Sequence, residues 1–338
     1  MRVREISEII MKPELQILMN VIADKKGRIE VSFPLYELPL LYAEPHENGY
    51  FLRTLADRRS FNSLVPEYLS NELPTWTDFH ECFISSGIIR YSNIRDFIQN
   101  LELYERLKKG VAFAPDTNLF YHRFISGFKP LSRYQIVVAE TVKKEIESAM
   151  NYKYKHRQLE EMRREVRNGA LLKEFNNRRT KRSRKAAYIA LKEFESLKDR
   201  IIMAENVSES VHNNDEMIVK SLKHYDRMTP TLLVFLTADI AVTDVAEMEG
   251  LEYFLFQYPR DEPGRHIVRA YQLRTLLFNL AAVFGVIDIN GIHVFGEFGG
   301  KQGLNELKLV FSREDRVYHE FEFHLKLSRR LMEIMGGS

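Results

Sequence analysis

The stretch Val111-Ala112-Phe113-Ala114-Pro115-Asp116-Thr117-Asn118-Leu119-Phe120 is a short apolar run that ends on a carboxylate, where a strand stops and a helix begins. A second apolar run, Leu232-Leu233-Val234-Phe235-Leu236, ends the same way, at Thr237-Ala238-Asp239. Parallel strands deliver side chains to the crevice outside their carboxyl ends, so Asp116 and Asp239 can converge although 123 positions separate them. Converging acids at strand ends point to a metal site.

Working outward, the pattern from Val111 to about Tyr258 alternates apolar runs with amphipathic segments. The runs Val111–Ala114, Gln135–Val138, Ile201–Met203, Leu232–Leu236 and Tyr253–Phe256 are continuous rather than alternating, as expected of parallel strands covered on both faces. An α/β sandwich follows.

The chain of 338 residues is long enough for two or three domains of roughly 150 residues each. Its 45% hydrophobic and 28% charged residues exclude a disordered chain. A single cysteine, Cys82, excludes an intramolecular disulfide and a cysteine-rich zinc site, fits a reducing compartment, and reads as a small core residue. The charged start Met1-Arg2-Val3-Arg4-Glu5 lacks the apolar region of an export signal. The longest apolar stretch, Leu276 to Ile289, is shorter than the roughly 20 residues of a membrane span. A cytoplasmic protein with no membrane partner is expected.

Charge is unevenly spread. Residues 151–200 carry 16 Lys and Arg against 7 Asp and Glu, a local +9 within a total of +2, which leaves −7 on the rest. Three regions are therefore expected: 1–110, of open fold; 111–258, the α/β domain with a basic helical insertion at 151–200; and 259–338, a small α+β domain. In the first, Leu15–Ile22 and Asn93–Leu107 read as helices and Arg28–Leu35 as a strand. In the last, His266–Phe284 reads as a helix, and Val286–Phe295, Glu306–Phe311 and Val317–Leu327 read as strands. The last of these strands rests on Phe321, Phe323, Leu325 and Leu327 alternating with polar residues.

Two further acids lie between the opening aspartates. Glu145 sits on the flank of a predicted helix whose buried stripe is Val142, Ile146 and Ala149. Asp215 stands at the start of another, whose Ile218 and Leu222 face inward; an Asp there is commonly just a cap. Taken in order, the four segments resemble the PIN-domain nucleases. That family has Asp-Thr-Asn after the first strand, a Glu in the helix after the second, an Asp opening a helix before the fourth, and Thr-x-Asp ending that strand. Asp116-Thr117-Asn118, Glu145, Asp215 and Thr237-Ala238-Asp239 occupy those positions, over about 111–256, and Asp244 resembles an additional acid of some relatives. The 70 residues from Glu145 to Asp215 exceed the spacing of a minimal member, and the basic insertion accounts for them. A haloacid-dehalogenase-type phosphatase would need a second Asp where Asn118 stands.

The resemblance implies a PIN-like three-layer sandwich and a metal-dependent ribonuclease, a hydrolase of phosphodiester bonds. Asp116, Glu145, Asp215 and Asp239 would be catalytic, and those four with Asp244 would hold Mg²⁺ or Mn²⁺, hard ions that prefer oxygen ligands. Asn118 and Thr237 would support them. RNA is the expected partner, with single-stranded DNA the other candidate polymer, and a homo-oligomer is left open. The densest basic run offers Arg178, Arg179, Lys181, Arg182, Arg184 and Lys185 to phosphates, although a charge run is ordinarily a solvated helix face. The rival reading is a non-catalytic PIN-fold scaffold that binds nucleic acid or serves as an assembly subunit. A third is a protein-interaction module whose basic insertion is a solvated arm.

Three other features carry less. Gly296-Glu297-Phe298-Gly299-Gly300-Lys301-Gln302-Gly303 lacks the spacing of a phosphate loop and reads as a hairpin loop. Glu320, Glu322 and His324 would share one face of the predicted last strand. Tyr152, Tyr154 and His156 interleave with Lys153, Lys155 and Arg157 as a base-stacking, phosphate-holding segment would.

Overall fold

The computed structural model describes residues 5–64, 72–149, 156–175, 187–208, 211, 213–259, 263–312 and 316–336. Along the chain the elements run β1 (Glu5–Met11), α1 (Leu15–Lys26), β2 (Ile29–Phe33), β3 (Leu38–His46), β4 (Gly49–Thr54), α2 (Arg58–Leu64), α3 (Trp76–Ser85), α4 (Ile94–Tyr104), β5 (Val111–Pro115), α5 (Thr117–Tyr121), α6 (Phe124–Gly127), β6 (Gln135–Ala139), α7 (Glu140–Ala149) and α8 (His156–Glu165). They continue with α9 (Ala187–Leu197), β7 (Ile201–Ala204), α10 (Asn214–Met228), β8 (Leu232–Thr237), α11 (Ile240–Glu249), β9 (Tyr253–Leu255), β10 (Arg265–Val268), α12 (Ala270–Phe284), β11 (Val286–Ile289), β12 (Ile292–Phe295), β13 (Glu306–Ser312) and α13 (Arg316–Gly336). The described residues divide into two compact units, one from Met1–Ile88, Lys153–Lys185 and Glu262–Ser338, the other from Ile89–Tyr152 and Ala186–Asp261.

The second unit is the α/β layer read from the opening stretch. Its five strands are all parallel, in the order β7-β6-β5-β8-β9. The central strands carry the core: Phe113, Ala114, Val137, Val138, Val234 and Phe235 are each at most 1% exposed. Pro115 has no N–H to extend the ladder, and Asp116 turns the chain into α5. From β5 the chain moves outward to β6 on one side and later to β8 on the other. This makes the carboxyl ends of β5 and β8 the switch point at which open parallel sheets place ligands.

The first unit is built on an eight-stranded sheet, ordered β1-β13-β12-β11-β2-β3-β4-β10, with every pairing antiparallel. The two ends of the chain, read separately from the sequence, thus share one sheet, with β1 paired along its length to β13. Its buried helix α12 spans Ala270–Phe284, while His266 lies on the separate strand β10. The stretch Val286–Phe295 is two strands folded on the turn Asn290-Gly291, both at positive φ, as an Asn-Gly hairpin requires. The loop from Gly296 to Gly303 joins the antiparallel pair β12 and β13.

Two expectations are corrected here. Val317–Leu327 is not a strand but part of helix α13. The alternation at 321, 323, 325 and 327 also contains a helical stripe, and Val317, Phe321 and Leu325 are buried on it while Phe323 is 63% exposed. As a consequence Glu320, Glu322 and His324 do not share a strand face: Glu320 pairs with Lys25 at 2.7 Å and Glu322 with Lys326 at 2.6 Å.

The stretch 151–200, read as a basic helical insertion of several arms, is divided between the two units. Its described first part packs with the first unit: Arg167 donates to the Leu35 carbonyl at 3.1 Å and pairs with Glu37 at 3.0 Å, and Asn168 donates to the Pro34 carbonyl at 2.8 Å. Its last part, α9, is a core helix of the second unit, with Tyr188, Ile189 and Ala190 buried. Arg178, Arg179, Lys181, Arg182, Arg184 and Lys185, together with Tyr152, Lys153, Tyr154 and Lys155, lie outside the described residues. No helix among the described residues is long and apolar enough to cross a membrane.

Candidate active site

Asp116 ends β5 as the N-cap of α5 and is 5% exposed. Its Oδ1 accepts the Leu119 N–H at 2.9 Å. Its Oδ2 accepts the Thr237 hydroxyl and the Ala238 N–H, the latter at 3.3 Å. The Thr237 hydroxyl in turn accepts the Asp239 N–H at 3.0 Å. One fully buried threonine thereby ties the two strand ends together and aims both aspartates. Its neighbour Asp239, half-buried, caps α11 by accepting the Ala241 N–H at 2.9 Å.

Glu145 projects from the flank of α7, whose Val142 and Ile146 are buried as the spacing requires. The Ala149 side chain lies outside the described residues. Both oxygens of Glu145 are held, Oε2 by the Thr117 hydroxyl and Oε1 by the Asn214 amide at 2.7 Å. Asp215 lies at the start of α10, but the cap is Asn213, whose side chain accepts the Glu216 N–H at 2.8 Å. Asp215 is therefore spared the capping role that its position suggested.

Electrostatics link Asp116 to Asp239, and Asp215 to Glu145 and Asp239. Burial pushes the Asp116 carboxyl up to about 6; its three hydrogen bonds oppose this incompletely, and the charge of Asp239 adds to it. Asp215 is also held above its ordinary value, first by the water its neighbours displace and then by the charges of Glu145 and Asp239. Asp116 and Asp215 each have another carboxylate close enough to oppose their ionisation. Asn118 is half-buried on α5. Asp244 is exposed one turn along α11, where its charge adds, behind the Glu247 hydrogen bond, to the raised pKa of Tyr253.

Among the described residues no group of three or more His, Cys, Asp or Glu side chains is gathered to hold a metal ion by themselves. The donor set nonetheless suits a hard cation, since it is all oxygen and includes a buried carboxylate beside like charges. Mg²⁺ commonly takes one or two protein carboxylates and keeps several waters, a division that this spread of acids matches.

The sequence did not single out Thr117 and Asn214 as holders of Glu145. Thr117 lies inside the Asp-Thr-Asn motif and Asn214 beside Asp215, and nothing in their spacing says which carboxylate they meet. Glu193, counted in the basic stretch, is a fully buried acid of α9 that accepts the Ser126 N–H at 2.6 Å and its hydroxyl.

Residues 113–256 match the family model of the PIN domain. This stretch of the chain is a PIN domain, an α/β fold of the nuclease type around a parallel sheet. No curated protein matches the chain.

Proposed function

We propose that the PIN domain is a metal-dependent ribonuclease. The observation that supports the reading is the meeting of buried Asp116 with Asp239 at the ends of β5 and β8, with Asp215 close enough to feel the charges of Asp239 and Glu145. A fold gains nothing from such a cluster unless a cation offsets it.

In this reading Asp116 and Asp239 would hold Mg²⁺ or Mn²⁺, and Glu145 and Asp215 would bind it directly or through water. The bound cation supplies an activated water and offsets charge on the scissile phosphate. Thr237 keeps Asp116 and Asp239 in register, and Thr117 with Asn214 fixes the rotamer of Glu145. In the hydrolysis the water oxygen bonds phosphorus, the bond to one bridging oxygen breaks, and that oxygen leaves with a proton. RNA as the polymer and the basic run at 178–185 as its grip belong to the same proposal.

Incubation of labelled single-stranded RNA with the protein and Mn²⁺ tests it. Wild type is expected to cut and Asp116→Asn to lose at least about 100-fold in rate. Equal cutting by both, or by neither, overturns the reading. The absence of a directly metal-binding trio among the described residues favours a second one, a scaffold that binds RNA without turnover. Retained RNA binding with no cleavage in Mn²⁺ would select it.

A further inference from the structure

Glu145, whose charge reaches Asp215, also lines an open cavity of about 430 Å³ between α7 and α10, bordered by Asn206 and Val211. Its wall is chemically unlike the acid cluster. Lys144, Ser148, Asn206 and Asn214 contribute an ammonium, a hydroxyl and two amides, and Met217 contributes a polarizable apolar surface.

Two of these groups are already oriented. The Asn206 side-chain oxygen accepts the Thr141 hydroxyl at 2.9 Å, which fixes the amide plane. The Asn214 amide reaches Glu145 at 2.7 Å, so whatever fills the cavity lies against the partner of a proposed catalytic group. Lys144 is engaged by Glu140 at 2.9 Å. With that ammonium paired to Glu140 and the Glu145 carboxylate in the same wall, the cavity does not favour a free anion. It suits a neutral, planar, hydrogen-bonding group.

We infer that this cavity is a nucleoside subsite, which takes one unpaired base of the strand whose phosphate lies at the acids. The inference rests on the nuclease reading for the position of the phosphate. The volume falls at the lower end of the roughly 300–1,000 Å³ of small-ligand pockets, enough for one nucleoside. Unpaired bases are hydrogen-bonded on their exposed edges, and a methionine sulfur makes favourable contacts with aromatic rings. Asn206 supplies the first and Met217 the second. The subsite therefore selects single strands and prefers some bases over others.

The test is equilibrium binding of fluorescent hexamers of A, C, G and U to the full-length Asp116→Asn protein in Ca²⁺. Affinities are expected to differ by about fivefold or more between best and worst. Asn206→Ala should flatten that difference. So should Ser148→Leu, which fills the cavity from an exposed helical position and leaves every hydrogen bond to the Glu145 carboxylate in place. Equal binding of the four hexamers, or a preference that survives both substitutions, overturns the subsite. Wild-type cleavage of the same hexamers in Mn²⁺ separates the two readings. Cutting with no base preference keeps the nuclease and removes the subsite, whereas base preference without cutting keeps the subsite and removes the nuclease.

Discussion

At the scale of the residue, Thr237 and Asp116 carry the most. The Thr237 hydroxyl is both the donor to Asp116 and the acceptor from the Asp239 N–H. Thr237→Val keeps the shape and leaves two buried polar groups short of a partner, at a cost of about 1–3 kcal/mol, which thermal melting would measure. The same change removes a bond that lowers the Asp116 pKa, so the acid limb of the cleavage-pH profile should move to higher pH, and Thr237→Ser should restore it. Asp116 sits at about 6 against an ordinary 3.8, so the metal-free fold holds this proton more tightly than the unfolded chain does. The stability it confers is complete below 3.8 and is lost as pH rises through about 6. A cation that binds the ionised form must displace the proton at low pH. Mn²⁺ is therefore expected to raise the melting temperature more at about pH 7.5 than at about pH 5. An equal rise at both would count against Asp116 as a ligand.

At the scale of the element, the segment 187–200 shows how a helix can be misread. It falls within the basic insertion expected at 151–200, yet α9 buries Tyr188, Ile189, Ala190 and the carboxylate of Glu193. Burial raises the Glu193 pKa despite the Ser126 bonds and Arg123 nearby. Glu193→Ala strands the Ser126 N–H below the segment that follows Asp116. A loss of about 1–3 kcal/mol is expected in denaturant unfolding, and an unchanged midpoint would show that the helix is not anchored there. The last helix, α13, shows the reverse case. Period 2 and period 4 coexist in Phe321-Glu322-Phe323-His324-Leu325, and only the partner surface decides which period is buried.

At the scale of the molecule, charge separates from chemistry. The +9 of residues 151–200 lies between Glu145 and Asp215 in the chain, but its first described part, from α8 to Phe175, packs with the antiparallel unit, and its last, α9, with the parallel one. If Arg178, Arg179, Lys181, Arg182, Arg184 and Lys185 grip RNA, replacing all six by Ala should flatten the slope of log affinity against log salt. The expected change is about 0.7 for each phosphate of a single strand that the protein no longer neutralises. An unchanged slope would assign the grip to another surface.

What the sequence determined by itself was the PIN layer. Its strands are continuous apolar runs, its aspartates stand where those runs end, and both signals are local, so the order of motifs carried the fold and the acids together. The tertiary structure alone decided the rest. That β1 pairs with β13, that Asn213 rather than Asp215 caps α10, and that Asn214 and Thr117 grip Glu145 all depend on contacts between distant or neighbouring residues of unremarkable type. Sheet pairing across 300 residues and the choice among adjacent polar side chains leave no periodic trace, because hydrogen-bond partners are selected by position in space.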